Sequence, residues 1–474
     1  MRHLILLLAI TYLFSANAQI PASLLAQDIP PTLSGKVKIS IIEGTMECDL
    51  TLSNIPPISD YLIRLNSGMN LLYIKSLSPN EFMLMEDRSR NDTMSSGESI
   101  AYYFADNTGK GKFLPDKLQF KYVGKYPVVT DTVENYSRAD WRGNIAFNGY
   151  SIRAEGIQGA WYPYLYDASN DKTYECIPYN IEIECIDCST LYVNGAKPVH
   201  AQKNRFKSDV PYELSIYCGN YEVFDDGNLV LLNPTFSNKD LFHFSSLIAQ
   251  QKRYYEEHLH IKFAEPPVFV NSTPTSPKFG WLFVSYPTIM GIGYGNLGLS
   301  ALFDSTTENW YTQFIAHELG HYYFGTYKQF NSELGNMISE GFAEYLSLKL
   351  MKDLSKPSEY DQLLDDKFGV MKSFETIPIN KIHKLTDIQN RERFVYNYAP
   401  MMLIAIEHEI GIQKMWEWMT LILNSSVERT DYNFLLTTLN HVVSDEKIMS
   451  RIVKNYFTSE KSWQNIKKTL TEKK

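Results

Sequence analysis

The chain has 474 residues, of which 44% are hydrophobic, and its formal net charge is −9. This length exceeds what one ordinary hydrophobic core organises, so we expect two or more domains. The acidic balance offers no basic surface for a polyanion, which argues against nucleic acid as a partner.

Residues 1–18 have the pattern of a secretory signal peptide. Arg2 and His3 precede an apolar run over residues 4–14, and Ala16-Asn17-Ala18 fits a small-x-small cleavage site. The apolar run is too short to span a bilayer, and no later stretch is apolar for long enough to do so. We therefore predict an exported protein, secreted or periplasmic, with no integral membrane segment once the signal is removed.

Residues 19–215 are predicted to form an antiparallel β-sandwich domain. Stretches that alternate apolar and polar side chains, or that are rich in β-branched residues, are separated by clusters of Pro, Asn and Gly. Four such stretches begin at Lys36, Glu47, Tyr61 and Asn180. Trp161, in a Trp-Tyr-Pro segment, is interpreted as a buried aromatic corner of this domain.

The cysteines all lie in the first half of the chain, at Cys48, Cys176, Cys185, Cys188 and Cys218. In an exported protein a disulfide is the first expectation, and an odd count leaves at least one thiol unpaired within the chain. Free thiols and a metal clip at Cys185-Ile186-Asp187-Cys188 remain as alternatives. No second closely spaced pair of the zinc-ribbon type accompanies that clip.

Residues 216–474 are predicted to form a second domain, with a strand-bearing lobe to about residue 300 and a helical lobe after it. A helix is expected over residues 238–258, where apolar side chains recur at helical spacing. Further helices are expected over residues 308–324, 339–351, 359–372, 400–410, 413–423, 432–443 and 446–457.

Two histidines on the first helix of that lobe indicate a metal site. His317 and His321 are four residues apart, so a helix presents both on one face, with Glu318 between them. Glu340, on the next predicted helix, supplies a carboxylate as the third ligand. Two imidazoles and one carboxylate leave a fourth position for water, as in catalytic rather than structural zinc. We predict one Zn²⁺ per chain, with Glu318 as the general base for its water.

This pattern resembles the signature of the aminopeptidase N-type gluzincin metallopeptidases. His317-Glu318-x-x-His321 is followed, after 18 intervening residues, by Glu340-Gly341-Phe342-Ala343. The resemblance extends to residues 394–399 and, more weakly, to residues 290–299. It implies an α+β chain in which a thermolysin-like, two-lobed, mainly helical zinc peptidase domain follows the β-sandwich, with peptides or proteins as substrates. Many relatives carry a further helical domain, so a chain ending at Lys474 is expected to have a more open cleft.

The resemblance also assigns roles to single residues. Tyr396 is similar to the family's transition-state tyrosine and is our candidate oxyanion donor, with Tyr398 as the alternative. Glu344, one turn after Glu340, either orients a ligand histidine or is a solvated surface charge.

The main departure from the family is Gly295. It matches the position of a Glu that holds the free α-amino group of the substrate, which glycine cannot do. Backbone groups of Gly293, Gly295 and Asn296 can still bind an extended peptide as an added strand. Glu155, in the first domain, is the nearest candidate for a replacement acid.

Three functions therefore compete: an exported zinc peptidase with altered terminal preference, a conventional aminopeptidase with another amine anchor, and an inactive binding protein on the same fold. The complete set of His317, Glu318, His321, Glu340 and Tyr396 favours an active enzyme, because a fold kept only for binding has no physical need of it. The substrate sequence and the oligomeric state stay open.

Overall fold

The computed structural model describes residues 30–77, 83–88, 98–130, 145–170, 172–234, 237–263, 265–272, 281–285, 287–292, 299–303, 308–373 and 375–471. The predicted signal peptide lies outside these ranges. None of the helices within them is long and apolar enough to cross a membrane.

The first half of the described chain is built from strands, which form three sheets. They are β1 (Thr32–Ser40), β2 (Thr45–Ser53), β3 (Tyr61–Asn66), β4 (Met69–Ser76), β5 (Met83–Glu86), β6 (Ser99–Ala105), β7 (Lys117–Lys125), β8 (Ile145–Phe147), β9 (Ser151–Ala154), β10 (Tyr164–Asp167), β11 (Lys172–Tyr174), β12 (Cys176–Cys185), β13 (Thr190–Val193), β14 (Lys203–Glu213) and β15 (Ile216–Gly219). The strand orders are β14-β12-β1-β2-β7-β4, β11-β10-β3-β6-β5 and β13-β15-β9-β8.

These sheets follow the predicted alternation of buried and exposed side chains. Along β2, Cys48, Leu50 and Leu52 are buried while their neighbours are more exposed, as expected for a strand with one face on the core. The pairs among these strands are antiparallel except β1 with β12, which run parallel. Trp161 is fully buried and its Nε1 donates to the carbonyl of Leu214 over 2.6 Å, as expected of a buried aromatic corner.

The expected disulfide is present, between Cys185 and Cys188. Cys48, Cys176 and Cys218 are free thiols, so the odd count does leave unpaired cysteines. Burial raises the pKa of Cys48 and Cys218 to about 12, which keeps both thiols protonated and unreactive.

Strand β15 belongs to the first half of the molecule, because it pairs with β9 and β13. The predicted boundary after residue 215 falls just before this strand, and the N-terminal sheets continue to Gly219. A fourth sheet follows, composed of β16 (Val223–Asp225), β17 (Val230–Leu232), β18 (Val268–Ser272), β19 (Trp281–Ser285) and β20 (Thr288–Ile292). Its order is β16-β17-β18-β20-β19.

The rest of the described chain is helical. The helices are α1 (Asn238–Leu259), α2 (Glu308–Gly320), α3 (Gly335–Leu354), α4 (Pro357–Val370), α5 (Arg391–Arg393), α6 (Ala399–Ile410), α7 (Ile412–Asn424), α8 (Tyr432–Val442), α9 (Glu446–Ile452) and α10 (Ser462–Thr471). A π-helical segment, Phe394–Tyr398, joins α5 to α6 and is called the π turn below. The α+β fold, with β-sheets followed by a mainly helical part, is confirmed.

Helix α2 ends at Gly320, whereas the prediction continued it to residue 324. Beyond Gly320 the amides of Tyr322 and Tyr323 bond three residues back instead of four, which tightens the chain into turns. Helix α3 begins at Gly335, before the predicted start at residue 339. It is buried on nearly every side, which identifies it as the central helix of this half.

Candidate active site

A close approach of α2 and α3 brings the predicted metal ligands together. A Cβ at Gly320 would lie 3.2 Å from the Cα of Ala343, so the missing side chain lets the helices touch. The Nε2 atoms of His317 and His321 are 3.1 Å apart. Glu340 Oε2 lies 3.4 Å from His317 Nε2 and 3.1 Å from His321 Nε2.

These three atoms fit a small tetrahedral cation. With zinc–ligand bonds of about 2.0–2.1 Å, neighbouring ligand atoms of a tetrahedral site lie about 3.3–3.4 Å apart. The three measured separations are close to that value. Two imidazoles and a carboxylate are also the donor types of catalytic zinc, so the residues present suit zinc in both geometry and chemistry.

His317 is held from behind by a buried hydrogen-bond network. Its Nδ1 lies 2.7 Å from Glu344 Oε2, so Glu344 orients a ligand histidine and is no solvated surface charge. Gln313 donates to the same oxygen over 3.2 Å and to Ser347 Oγ over 2.7 Å. On the other carboxylate oxygen, Glu344 accepts from the ammonium of Lys367. The network fixes the ring so that Nε2 faces the ligand cluster.

His321 has a simpler support. Its Nδ1 lies 3.2 Å from the carbonyl of Phe324, in the turn that follows α2. Ser339 Oγ donates to the same carbonyl over 2.6 Å. The early end of α2 is therefore what supplies His321 with its hydrogen-bond partner.

The carboxylates around His317 control its charge. Burial by itself would lower the pKa of His317, but Glu340 and Glu344 outweigh it and raise that pKa to about 10. Burial would raise the pKa of Glu344, yet Lys367 and His317 hold it at about 2. The carboxylates of the cluster therefore stabilise a positive charge on His317. A cation bound to Nε2 would take the place of the proton on that nitrogen.

Glu318 is 6% exposed and borders the same cavity as the metal ligands. Burial raises the pKa of its carboxyl group, while His317 and His321 lower it. A carboxylate with a raised pKa accepts a proton more readily at neutral pH than an exposed one, which suits a general base.

The two tyrosines of the π turn have different surroundings. Tyr396 borders the cavity, with its ring centroid 5.8 Å from that of His317. Burial raises the pKa of Tyr396, so its hydroxyl remains a donor at neutral pH. Tyr398 is fully buried and donates to Ser462 Oγ over 2.9 Å, away from the metal ligands. Of these two tyrosines, Tyr396 therefore borders the same cavity as the metal ligands, whereas Tyr398 is not among the described residues that line it.

The cavity has a volume of about 580 Å³ and receives residues from both halves of the chain. On the side of the β-sheets it is lined by Gln158, Glu175, Cys176 and Glu213. Glu213 accepts from the amide of Ile157 over 2.7 Å and from Ser285 Oγ over 3.1 Å. This volume lies within the range of about 300–1,000 Å³ that is usual for ligand-binding sites.

The other predicted contacts lie elsewhere. Gly293, Gly295 and Asn296 fall outside the described residues. Glu155 is 3% exposed and lies 3.6 Å from Arg153 Nε, and it is not among the described residues that line the cavity. Its proposed role as an amine anchor remains a prediction that this position does not support.

No protein-family model and no curated protein matches the chain. Among solved structures, yeast LTA4 hydrolase in complex with bestatin aligns with a TM-score of 0.64 at 13% identity, over 89% of this chain. The chain spans 66% of the length of that enzyme. The M1 zinc metallopeptidase from Deinococcus radiodurans aligns with a TM-score of 0.57 at 11% identity, over 90% of this chain and 94% of its own.

The fold is that of the M1 zinc metallopeptidases. At this level of identity the likeness concerns the fold alone, and the chemistry depends on the side chains of this chain.

Those side chains include residues that the sequence pattern did not single out. They are Gln313, Lys367 and Arg391 near the ligands, and Glu175 and Glu213 on the β-sheet side of the cavity. The sequence of a helix or strand does not show whether a lysine or glutamate on it is buried. Pro400 indicates that the Tyr396 carbonyl needs another donor, because a proline four residues later has no N–H, but it does not identify Lys367 as that donor.

Proposed function

We propose that this protein is a zinc metallopeptidase that hydrolyses peptide bonds. The observation that carries this proposal is the convergence of His317, His321 and Glu340 within bonding distance of one cation, with Glu318 and Tyr396 bordering the same cavity. A related structure of the D. radiodurans enzyme is described as bound to a Tyr-Ser-Ala substrate, which agrees with a peptide as the ligand of such a cavity.

The chain's own residues act in three ways around the scissile bond. His317, His321 and Glu340 would hold a zinc ion, which when bound would supply Lewis acidity and lower the pKa of its water. Glu318 accepts the proton of the attacking water and returns it to the leaving amine. The Tyr396 hydroxyl donates a hydrogen bond to the carbonyl oxygen as negative charge develops there. Glu344 keeps His317 in the tautomer whose Nε2 carries the lone pair.

We also propose that the protein is exported, on the basis of the signal-peptide pattern of residues 1–18, and that Gly295 alters its terminal preference. A carboxylate near the first substrate residue is needed to bind a free ammonium group, and Gly295 provides none. Without that anchor the enzyme depends on neighbouring subsites, so single-residue chromogenic amides should be poor substrates.

A conventional aminopeptidase is the second candidate, and one observation favours it. Glu175 and Glu213 line the wall of the cavity on the side of the β-sheets. Burial raises the pKa of Glu175 to about 8. An ammonium group in the cavity would favour the charged form of these carboxyl groups, so they are better placed than Glu155 to bind a free N-terminus.

The zinc assignment is tested with two matched variants. Glu340→Gln removes a ligand and should lower zinc affinity, whereas Glu318→Gln should retain zinc and lose turnover on peptides. Zinc content is measured by elemental analysis after incubation with the ion and removal of the excess. A wild-type protein that retains no zinc rejects the proposal.

Terminal preference is tested by competition between the free and the N-acetylated form of one peptide. With no amine anchor, acetylation should change kcat/KM little. Preference for the free form by about a hundredfold, or about 2.7 kcal/mol at 1.36 kcal/mol per decade, would establish the aminopeptidase. In that case Glu175→Gln should abolish the preference, with Glu155→Ala as the comparison.

A further inference from the structure

Lys367 on α4 connects two parts of the site that are distant in sequence. It is 9% exposed, and its ammonium contacts the Glu344 carboxylate and donates to the backbone carbonyl of Tyr396 over 2.8 Å. A buried ammonium is costly unless its hydrogen bonds and its charge are compensated. Its two partners, the Glu344 carboxylate and the Tyr396 carbonyl, belong to segments that shape the cavity. The free-energy cost of burying the ammonium is therefore offset at the site itself.

The first contact acts on the metal ligand. Glu344 uses one oxygen for His317 Nδ1, at 2.7 Å, and the other for Lys367. The carboxylate is therefore fixed at both oxygens, with Gln313 as a further donor to the oxygen that faces His317. If the ammonium were absent, Glu344 would be a buried carboxylate without its cation, free to rotate away from the His317 ring.

The second contact acts on the oxyanion donor. In a regular helix the carbonyl of Tyr396 would accept from the amide four residues later, but that residue is Pro400, which has no N–H. Lys367 Nζ supplies a donor to this carbonyl. The π turn thereby remains anchored at the residue whose side chain borders the cavity.

We propose that Lys367 is a positioning residue that couples the orientation of His317, through Glu344, to the placement of the Tyr396 hydroxyl, through its backbone carbonyl. This inference rests on the proposed zinc peptidase function. It goes beyond it by assigning a role to a side chain that is neither a metal ligand nor among the described residues lining the cavity.

The test compares Lys367→Met with Lys349→Met in the full chain. Lys349 is a suitable control because it is also buried, at 3% exposure, and pairs with a carboxylate, Glu407 Oε1, over 2.9 Å. Lys349 lies on α3 but is not among the described residues lining the cavity. Both variants remove a buried ammonium and should lose stability. Only Lys367→Met should affect the site.

Three quantities are measured for each variant: zinc affinity by competition with a chelator, the visible spectrum of the Co²⁺-substituted protein, and kcat and KM at saturating zinc. For Lys367→Met we expect zinc affinity to fall about tenfold to a hundredfold, as for other residues that orient metal ligands. The Co²⁺ spectrum should change, and kcat should fall more than KM rises. Lys349→Met should match the wild type in affinity and spectrum.

The link to Tyr396 is tested by a double-mutant cycle. In the Tyr396→Phe background the hydroxyl that Lys367 positions is gone, so adding Lys367→Met should lower kcat at saturating zinc by less than it does in the wild type. If the two effects multiply in full, Lys367 does not act through Tyr396 and the coupling is rejected.

A second route covers the case in which Lys367→Met does not fold. Glu344→Gln/Lys367→Met removes both charges and leaves no buried carboxylate without its cation. Its kcat at saturating zinc should be lower than that of Glu344→Gln alone, because the Tyr396 carbonyl has lost its donor. Equal values reject the inference. A wild type that binds no zinc rejects the proposed function as well, whereas an active, zinc-binding wild type matched by Lys367→Met rejects the inference alone.

Discussion

His317 uses its two ring nitrogens in opposite directions. Nδ1 faces Glu344, and Nε2 faces His321 and Glu340. Because the first bond selects which nitrogen carries the proton, the lone pair of the second is directed at the cation position. The direction of this lone pair therefore depends on a single hydrogen bond between side chains, which is fixed before any substrate binds.

Replacing Tyr396 by Phe should lower kcat by about a hundredfold or more, because loss of one oxyanion donor costs roughly 2.7–4 kcal/mol. Zinc content should not change, since the hydroxyl is no ligand. The measurement is steady-state kinetics on a peptide, together with elemental analysis.

Tyr398→Phe is the control for that variant. It removes the hydrogen bond to Ser462 inside the helical core and should lower the melting temperature with a small effect on kcat. A larger loss of kcat for Tyr398→Phe than for Tyr396→Phe would reverse the assignment within the π turn.

The metal-ligand cluster could be predicted from sequence because helix geometry alone places residues four apart on one face. Two alternatives stay open for Glu344 in the sequence, a partner of a ligand histidine or a solvated surface charge, because the sequence does not show whether a single Glu is buried. Lys367 and Glu175 could not be predicted, since both reach the site from segments whose position depends on tertiary packing. Glu155 is the nearest candidate in the first domain for an acid that binds the substrate amine, but its carboxylate lies 3.6 Å from Arg153 Nε.

The π turn lies just before a proline. Pro400 is in the first turn of α6, where a proline is tolerated. It provides no amide for the Tyr396 carbonyl, and in the π turn the amides bond five residues back, as from the Ala399 amide to the Phe394 carbonyl. Pro400 was visible in the sequence, but the π conformation next to it was not predicted.

Pro400→Ala should lower kcat while zinc affinity stays the same. The new amide can bond to the Tyr396 carbonyl, which favours a regular α turn and rotates the tyrosine away from the cavity. A displacement of about 1 Å at such a position can cost on the order of a hundredfold in rate. Kinetics and chelator competition measure the two quantities.

A suitable comparison is Pro357→Ala, in the first turn of α4. Lys367 lies in the last turn of that helix, and none of the described residues of α4 lines the cavity. Pro357→Ala should leave kcat unchanged. Loss of zinc together with activity in Pro400→Ala would show that the π turn supports the ligands rather than Tyr396.

For the whole molecule, the sequence predicted the order of a strand-rich half and a helical half, because hydrophobic periods of two and 3.6 are local signals. It did not predict the parallel pairing of β1 with β12, whose partners Leu33 and Tyr179 are distant in the chain. That pairing depends on contacts between remote segments, which leave no local pattern.

The buried carboxyl groups of the β-sheet half should make stability depend on pH. Burial raises the pKa of Glu155 from 4.5 to about 8, against the opposing effect of Arg153. Between these values the folded protein holds a proton that the unfolded chain has lost. The free energy of unfolding should therefore fall as pH rises from about 4.5 to about 8, by an amount on the order of a few kcal/mol.

Glu155→Gln should reduce this fall in the free energy of unfolding. The measurement is chemical denaturation at about pH 6 and about pH 9, on either side of the raised pKa. Glu182→Gln serves as the control, because Lys203 lowers the pKa of Glu182 and its titration is complete below that range. An equal pH dependence in Glu155→Gln and wild type would contradict the expectation.

The two walls of the cavity come from separate stretches of the chain. The groups assigned to the proposed hydrolysis lie between His317 and Tyr396, whereas Gln158, Glu175 and Glu213 line the cavity on the side of the β-sheets. Substitutions on the β-sheet wall can therefore change which peptides are accepted while the metal-binding helices stay intact. For an engineer, this separation offers a library design: randomising Gln158 and Glu175 explores new selectivities on a hydrolytic apparatus that need not be rebuilt each time.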